Sequence, residues 1–132
     1  MSDDHGSAGQ LAAAISNTVV RAIAETTGRG PTRARTTIGQ DSIFVVVQDT
    51  LTKGERSLVE AGDTESVLRM REAWQRVMHD SLNRDIEQLT GRRIVGFMST
   101  NHVEPDVGVE IFILAPDGGG DRVAEGDSSL SA

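Results

Sequence analysis

Leu11, Ile15, Val19 and Ile23 recur at every fourth position while Asn17, Arg21 and Glu25 fall off that stripe, which predicts an amphipathic helix over Gly9–Thr27. Gly28, Gly30 and Pro31 stop it. The runs R-A-R-T-T-I and S-I-F-V-V-V-Q, separated by G-Q-D, predict a β-hairpin whose turn contains Gly39 and Asp41. Its first strand is polar and reads as an edge; its second is apolar on both sides and reads as a central strand covered on both faces. T-x-x-E at Thr52–Glu55 is a capping box and predicts a short helix to about Ala61, which Gly62-Asp63 interrupts. A long helix follows over about Thr64–Thr90, with Val67, Met70, Trp74, Val77, Met78, Leu82, Ile86 and Leu89 on its apolar stripe and Gly91 as its stop. The remaining runs, R-R-I-V-G-F-M-S-T and V-G-V-E-I-F-I-L-A, flank the loop N-H-V-E-P-D as a second hairpin. The order α-β-β-α-α-β-β predicts an α+β two-layer domain, its helices packed on a mostly antiparallel four-stranded sheet.

Composition narrows this picture. The chain has 132 residues and a formal charge of −7, the size of one domain. Residues 1–7 and 117–132 are small, polar and acidic with almost nothing to bury, so both are expected to be a disordered head and tail around a single domain at 8–116. Those ends carry much of the acidity, which is therefore not evidence of an acidic binding face. Overall negative charge and scarce aromatics argue against a nucleic-acid partner, although the element order alone resembles that of some RNA-binding folds. There is no cysteine, hence no disulfide, thiolate metal site or Cys nucleophile. The longest apolar run, Ile43–Val47, is far short of the roughly 20 residues that cross a bilayer. No membrane insertion is expected, and the acidic start, which lacks a signal-peptide pattern, leads us to expect a cytoplasmic protein.

Two segments could carry chemistry. Gly28–Arg35 is the clearly basic stretch, and Arg29, Arg33 and Arg35 could hold a phosphate or carboxylate. A helix precedes those glycines and a strand follows, the reverse of a phosphate loop; a helix stop and an edge strand with outward arginines explain the same residues. In Asn101–Asp106, His102 with Glu104 and Asp106 could converge on a metal only if the loop curls, and no nucleophile stands at a usable spacing. A turn in which Asn101 and Asp106 bond their own backbone and Pro105 fixes φ accounts for the loop without chemistry. His79 reads as a helix-surface residue, Trp74 as core, and Arg69 and Arg71, interleaved with Glu65 and Glu72, as a salt-bridged solvent face. Neither catalytic residues, metal nor cofactor is expected.

The apolar strands carry more information. Phe44, Val46, Phe112 and Leu114 lie on strand faces opposite to Val45, Val47, Val109 and Ile111. If the helices cannot cover both faces, the first four residues become candidates for the interface of a homodimer.

The runs I-S-N-x-x-V-R (Ile15–Arg21), G-R-G-P-T-R-A-R-T, L-T-K-G-E-R-S-L-V-E-A-G (Leu51–Gly62) and L-T-G-R-R-I-V-G-F-M-S-T-N-H-V-E-P-D-V-G-V-E-I-F-I-L (Leu89–Leu114) together resemble the bacterial MpsC family. The resemblance covers nearly the whole body of the chain. It implies a small soluble domain associated with a Na+-translocating, membrane-potential-generating system, and it brings no catalytic residues. The reading that results is a non-catalytic, homodimeric interaction module serving a membrane or signalling partner. The alternative is a small-anion or nucleotide binder, possibly an enzyme, that uses the Gly28–Arg35 segment and the Asn101–Asp106 loop.

Overall fold

The structure, a computed structural model, describes residues 2–116, with side chains over 7–116. The elements are α1 (Ser2–Thr27), β1 (Arg33–Ile38), β2 (Ser42–Gln48), α2 (Lys53–Glu60), α3 (Thr64–Thr90), β3 (Ile94–His102) and β4 (Val107–Leu114), in the expected order. α1 begins at Ser2 rather than Gly9, so residues 2–7 continue the helix upstream of its apolar stripe, where hydrophobic periodicity carries no signal. The expected tail, 117–132, lies outside the described residues.

The strands form one antiparallel sheet in the order β1-β2-β4-β3, which joins the two hairpins through their second strands. β1 is an edge and β2 is central, as expected. The expected capping box and helix stop hold locally, and Asp63, read only as part of a break, also caps a helix. Thr52 and Glu55 close a reciprocal capping box at α2, Asp63 caps α3, and Gly91 ends α3 in the left-handed conformation at φ 69°. That conformation disfavours any residue with a Cβ.

Register decides which apolar residues are core. Ile43 faces Phe112, and Phe44 faces Ile111. Directly opposite residues share a sheet face. Ile43, Val45, Val47, Phe112 and Leu114 therefore point together against Ile15, Val19 and Ile23 of α1 and Met78, Leu82 and Ile86 of α3, forming the core. This corrects the expected interface. Phe112 is fully buried and Leu114 nearly so, whereas Phe44 and Val46 share the opposite face with Val109 and Ile111. It also corrects the expectation that β2 is covered on both sides, since Phe44 is 42% exposed. Alternation divides a strand into two sets but does not match the sets of two strands, and here both sets are apolar.

On α3, Val67, Met78, Leu82 and Ile86 are buried as the stripe predicts, while Val77 and Leu89 are exposed. Arg71 takes a buried place on the stripe, and the solvent face expected for it is limited to the exposed Arg69–Glu65 pair.

Candidate functional site

The uncovered face of the sheet is built by alternate residues of four strands. Arg33, Arg35 and Thr37 come from β1, Phe44 and Val46 from β2, Val107, Val109, Ile111 and Ile113 from β4, and Met98, Thr100 and His102 from β3. Met98 is 51% exposed, and the β4 residues are half-buried against one another. Gly96 lies opposite Ile113, where a Cβ would come within 3.3 Å of the isoleucine side chain, so the glycine lets the two strands pack without displacing it. Four strands about 4.8 Å apart and seven or so residues long give this face an outline of about 500 Å², with Phe44, Val46, Val109, Ile111 and Met98 at its apolar centre and Arg33 and Arg35 along one edge; a contiguous exposed apolar patch on a monomer often has a use.

The arginines do not converge into an anion site. Arg33 pairs with Gln48, Gln48 with Val107 and Val107 with His102, which places Arg33 and His102 on opposite edges, about 14 Å apart across three strand spacings. Arg29 is engaged: it bridges Asp49 at 2.8 Å and donates to the Asp49 carbonyl. Arg56 reaches the other oxygen of the Asp49 carboxylate, also at 2.8 Å. The hydrogen bond from Arg29 holds the Asp49 carboxyl below its ordinary pKa, with Thr32 adding to the effect.

Asn101 and His102 turn out to be strand residues, with only 103–106 forming the turn. His102 Nδ1 lies 2.9 Å from the Pro105 carbonyl across a cis Glu104–Pro105 bond, so the ring is used to close the turn. Asn101 faces the helices and accepts from Gln75 Nε2 at 3.2 Å. Asp106 does not bond its own turn; it accepts from Thr50 Oγ1 at 3.0 Å and from the Leu51 amide at 2.9 Å. It thereby ties the second hairpin to the entry of α2. Among the described residues no group of three or more His, Cys, Asp or Glu side chains is placed to hold a metal.

Beneath the helices lies a polar set that sequence reasoning missed. Arg71 donates from Nε to Glu55 Oε2 at 2.9 Å, from NH2 to Glu55 Oε1 at 2.7 Å, and to the Thr50 carbonyl at 2.8 Å. Both partners are buried, and the guanidinium lies 5.6 Å from the centre of the Trp74 ring. A signal existed: Arg71 stands four residues after Val67 and seven before Met78, on the stripe itself. The second member is Glu110, which faces the core from central strand β4, accepts a hydrogen bond from Ser99 and has no salt-bridge partner among the described residues.

Burial pushes the Glu110 carboxyl above its ordinary pKa, against the opposing influence of Ser99 and Arg71. Its folded pKa therefore exceeds its unfolded one, so its contribution to stability is fully present below the unfolded value and is lost as pH rises through the folded value. Glu110→Gln is expected to raise Tm at neutral pH, with the gain shrinking toward pH 4 as the wild-type carboxyl protonates. Melting curves of both proteins across that range check it, and a gain independent of pH would exclude titration of Glu110 as the cause.

The fold and this geometry define a small α+β domain with a one-sided helical layer, an apolar core flanked by a few buried polar groups, and an open apolar sheet face. The chain belongs to the MpsC family: residues 7–116 match the family described as "Na+-translocating membrane potential-generating system (MpsC)". No curated protein and no solved structure matches it. Family membership links the chain to a membrane-potential system, while among the described residues no helix is long and apolar enough to cross a membrane.

Proposed function

We propose that this chain is a non-catalytic, cytoplasmic accessory module of a membrane-potential system, and that it works as a homodimer joined through the open face of its sheet. The observation that carries this reading is the one-sided helical layer. It leaves Phe44, Val46, Met98, Val109 and Ile111 on a contiguous apolar face with no described element over it. Two such faces would bury about 1,000 Å² in total, at the lower bound for a specific interface. Two-fold pairing of identical faces is the commonest closed arrangement. Arg33 and Arg35 stand on the outermost strand, so in a face-to-face pair they would stay at the wet rim, where unpaired charge costs little.

Sedimentation across the micromolar range is expected to give twice the 14.1 kDa chain mass. Ile111→Asp should return one chain mass while keeping a cooperative melt, because the altered side chain faces away from the core. A wild-type mass of one chain throughout would defeat the proposal.

A further inference from the structure

We infer that the outer edge of β3, together with the groove between it and α3, takes an extended segment of a partner polypeptide by strand addition. The segment would carry a basic, an acidic and an apolar residue at alternate positions, in that order from its N-terminus. This surface is separate from the open sheet face, and the inference stands or falls independently of the homodimer.

The backbone argument comes from comparing the two edges. Among the described strands β3 is the longest, nine residues, and it pairs with no strand but β4; the Ile94 amide at its start is taken by Glu87. Every second residue of an edge strand turns its N–H and C=O outward, a template for another strand unless charge, proline or shortness blunts it. β1 is blunted by all but proline: it has six residues and carries Arg33 and Arg35. β3 has neither a charged residue nor a proline from Ile94 to Asn101, and its one irregularity, between Ile94 and Gly96, leaves Phe97–His102 in regular register.

The side-chain argument comes from the groove alongside. It is a shallow, solvent-open groove of about 680 Å³, lined by Glu72, Gln75, Arg76 and His79 of α3 with Phe97 and Ser99 of β3. Gln75 is bonded to Asn101, and the His79 ring lies 5.1 Å from that of Phe97, so α3 runs antiparallel to β3 along the groove. A strand added to β3 would send alternate side chains into this space. One beside Phe97 meets the phenyl and imidazole rings and is best apolar. The next inward residue, beside Ser99, comes under Arg76; the one after, beside Asn101, comes under Glu72. Arg76 and Glu72 have no ion pair among the described residues, unlike Arg29, Arg56, Arg69 and Arg71. Main-chain bonds would supply affinity, and these three positions would supply selectivity. Antiparallel addition orders them as basic, acidic, apolar.

The test uses the full chain, isotope-labelled, titrated with the capped peptide Thr-Lys-Thr-Glu-Thr-Val-Thr and with its charge-swapped form Thr-Glu-Thr-Lys-Thr-Val-Thr. Backbone amide shifts confined to Phe97–His102 and the groove are expected with the first peptide. The swapped peptide should bind about threefold to fivefold more weakly, the effect expected of exposed charge contacts. In the E72R/R76E variant, altered only at exposed positions, that preference should invert. Absence of shifts at the β3 amides up to millimolar peptide, or equal affinity for the two peptides, overturns the inference. So does protection of the β3 edge amides without peptide in a dimer that survives Ile111→Asp, because the edge would then belong to a second copy.

Discussion

Replacing Arg71 by methionine is expected to lower the unfolding free energy by about 3–5 kcal/mol, the loss typical of a buried ion pair broken from one side. The loss comes less from the missing attraction than from what remains. Glu55, 2% exposed, would keep its carboxylate with only the Thr52 amide to satisfy it, and the Thr50 carbonyl would lose its donor. Converting both residues, R71M with E55Q, should recover most of the stability. Glutamine still closes a capping box at Thr52, and the methionine fills part of the guanidinium stem's volume beside Trp74. Urea denaturation of the wild type, both single variants and the double variant closes the cycle. A loss of less than about 1 kcal/mol in R71M would mean that water reaches the site and that the pair is in effect a surface one.

Phe112→Ala is expected to cost about 3–5 kcal/mol, whereas Phe44→Ala, measured in dilute protein, should cost under about 1 kcal/mol. The two phenylalanines occupy neighbouring strands of one sheet and look alike in sequence. Phe112, however, is enclosed among Ile43, the α1 and α3 side chains and the Phe97 ring at 5.0 Å, while Phe44 stands on the open face. Truncating the first leaves a cavity in a packed interior; truncating the second removes surface that water already wets. Equal losses would mean that β4 is paired with β2 one residue out of the register described here. The same contrast bears on association. Phe112→Asp unfolds the chain and reveals nothing about an interface, so Ile111 and Phe44 are the informative positions.

The capping box, the helix stop and the first hairpin turn could be read from the sequence because each is produced within a few residues. Thr52 and Glu55 satisfy each other's backbone amides, Gly91 takes its left-handed φ without the Cβ penalty, and G-Q-D closes a hairpin whatever lies beyond it. The helix stripes were nearly as legible, since a 3.6-residue period specifies one face. Val77 was misread because it lies at the border of that face, and Leu89 because it lies on the face but in the last turn, where only the neighbouring elements decide exposure.

Pairing across the sheet was a different matter. In β4 the β-branched set Val107, Val109, Ile111 and Ile113 resembles a core face more than the set Gly108, Glu110, Phe112 and Leu114, yet the second set is the buried one. Glu110 is tolerated there because Ser99, on the adjacent strand, bonds it. No local rule brings residues 99 and 110 together, nor Glu55 and Arg71, nor Asp106 and Thr50. The sequence by itself determined the elements, their ends and their order, because those follow from hydrogen bonds and periodicity over a few residues. The tertiary structure alone decided which sheet face is open, which carboxylates are buried and where the arginines are engaged. Those outcomes depend on register and on contacts between residues distant along the chain, and the apolar pattern of β2 and β4 was compatible with either face.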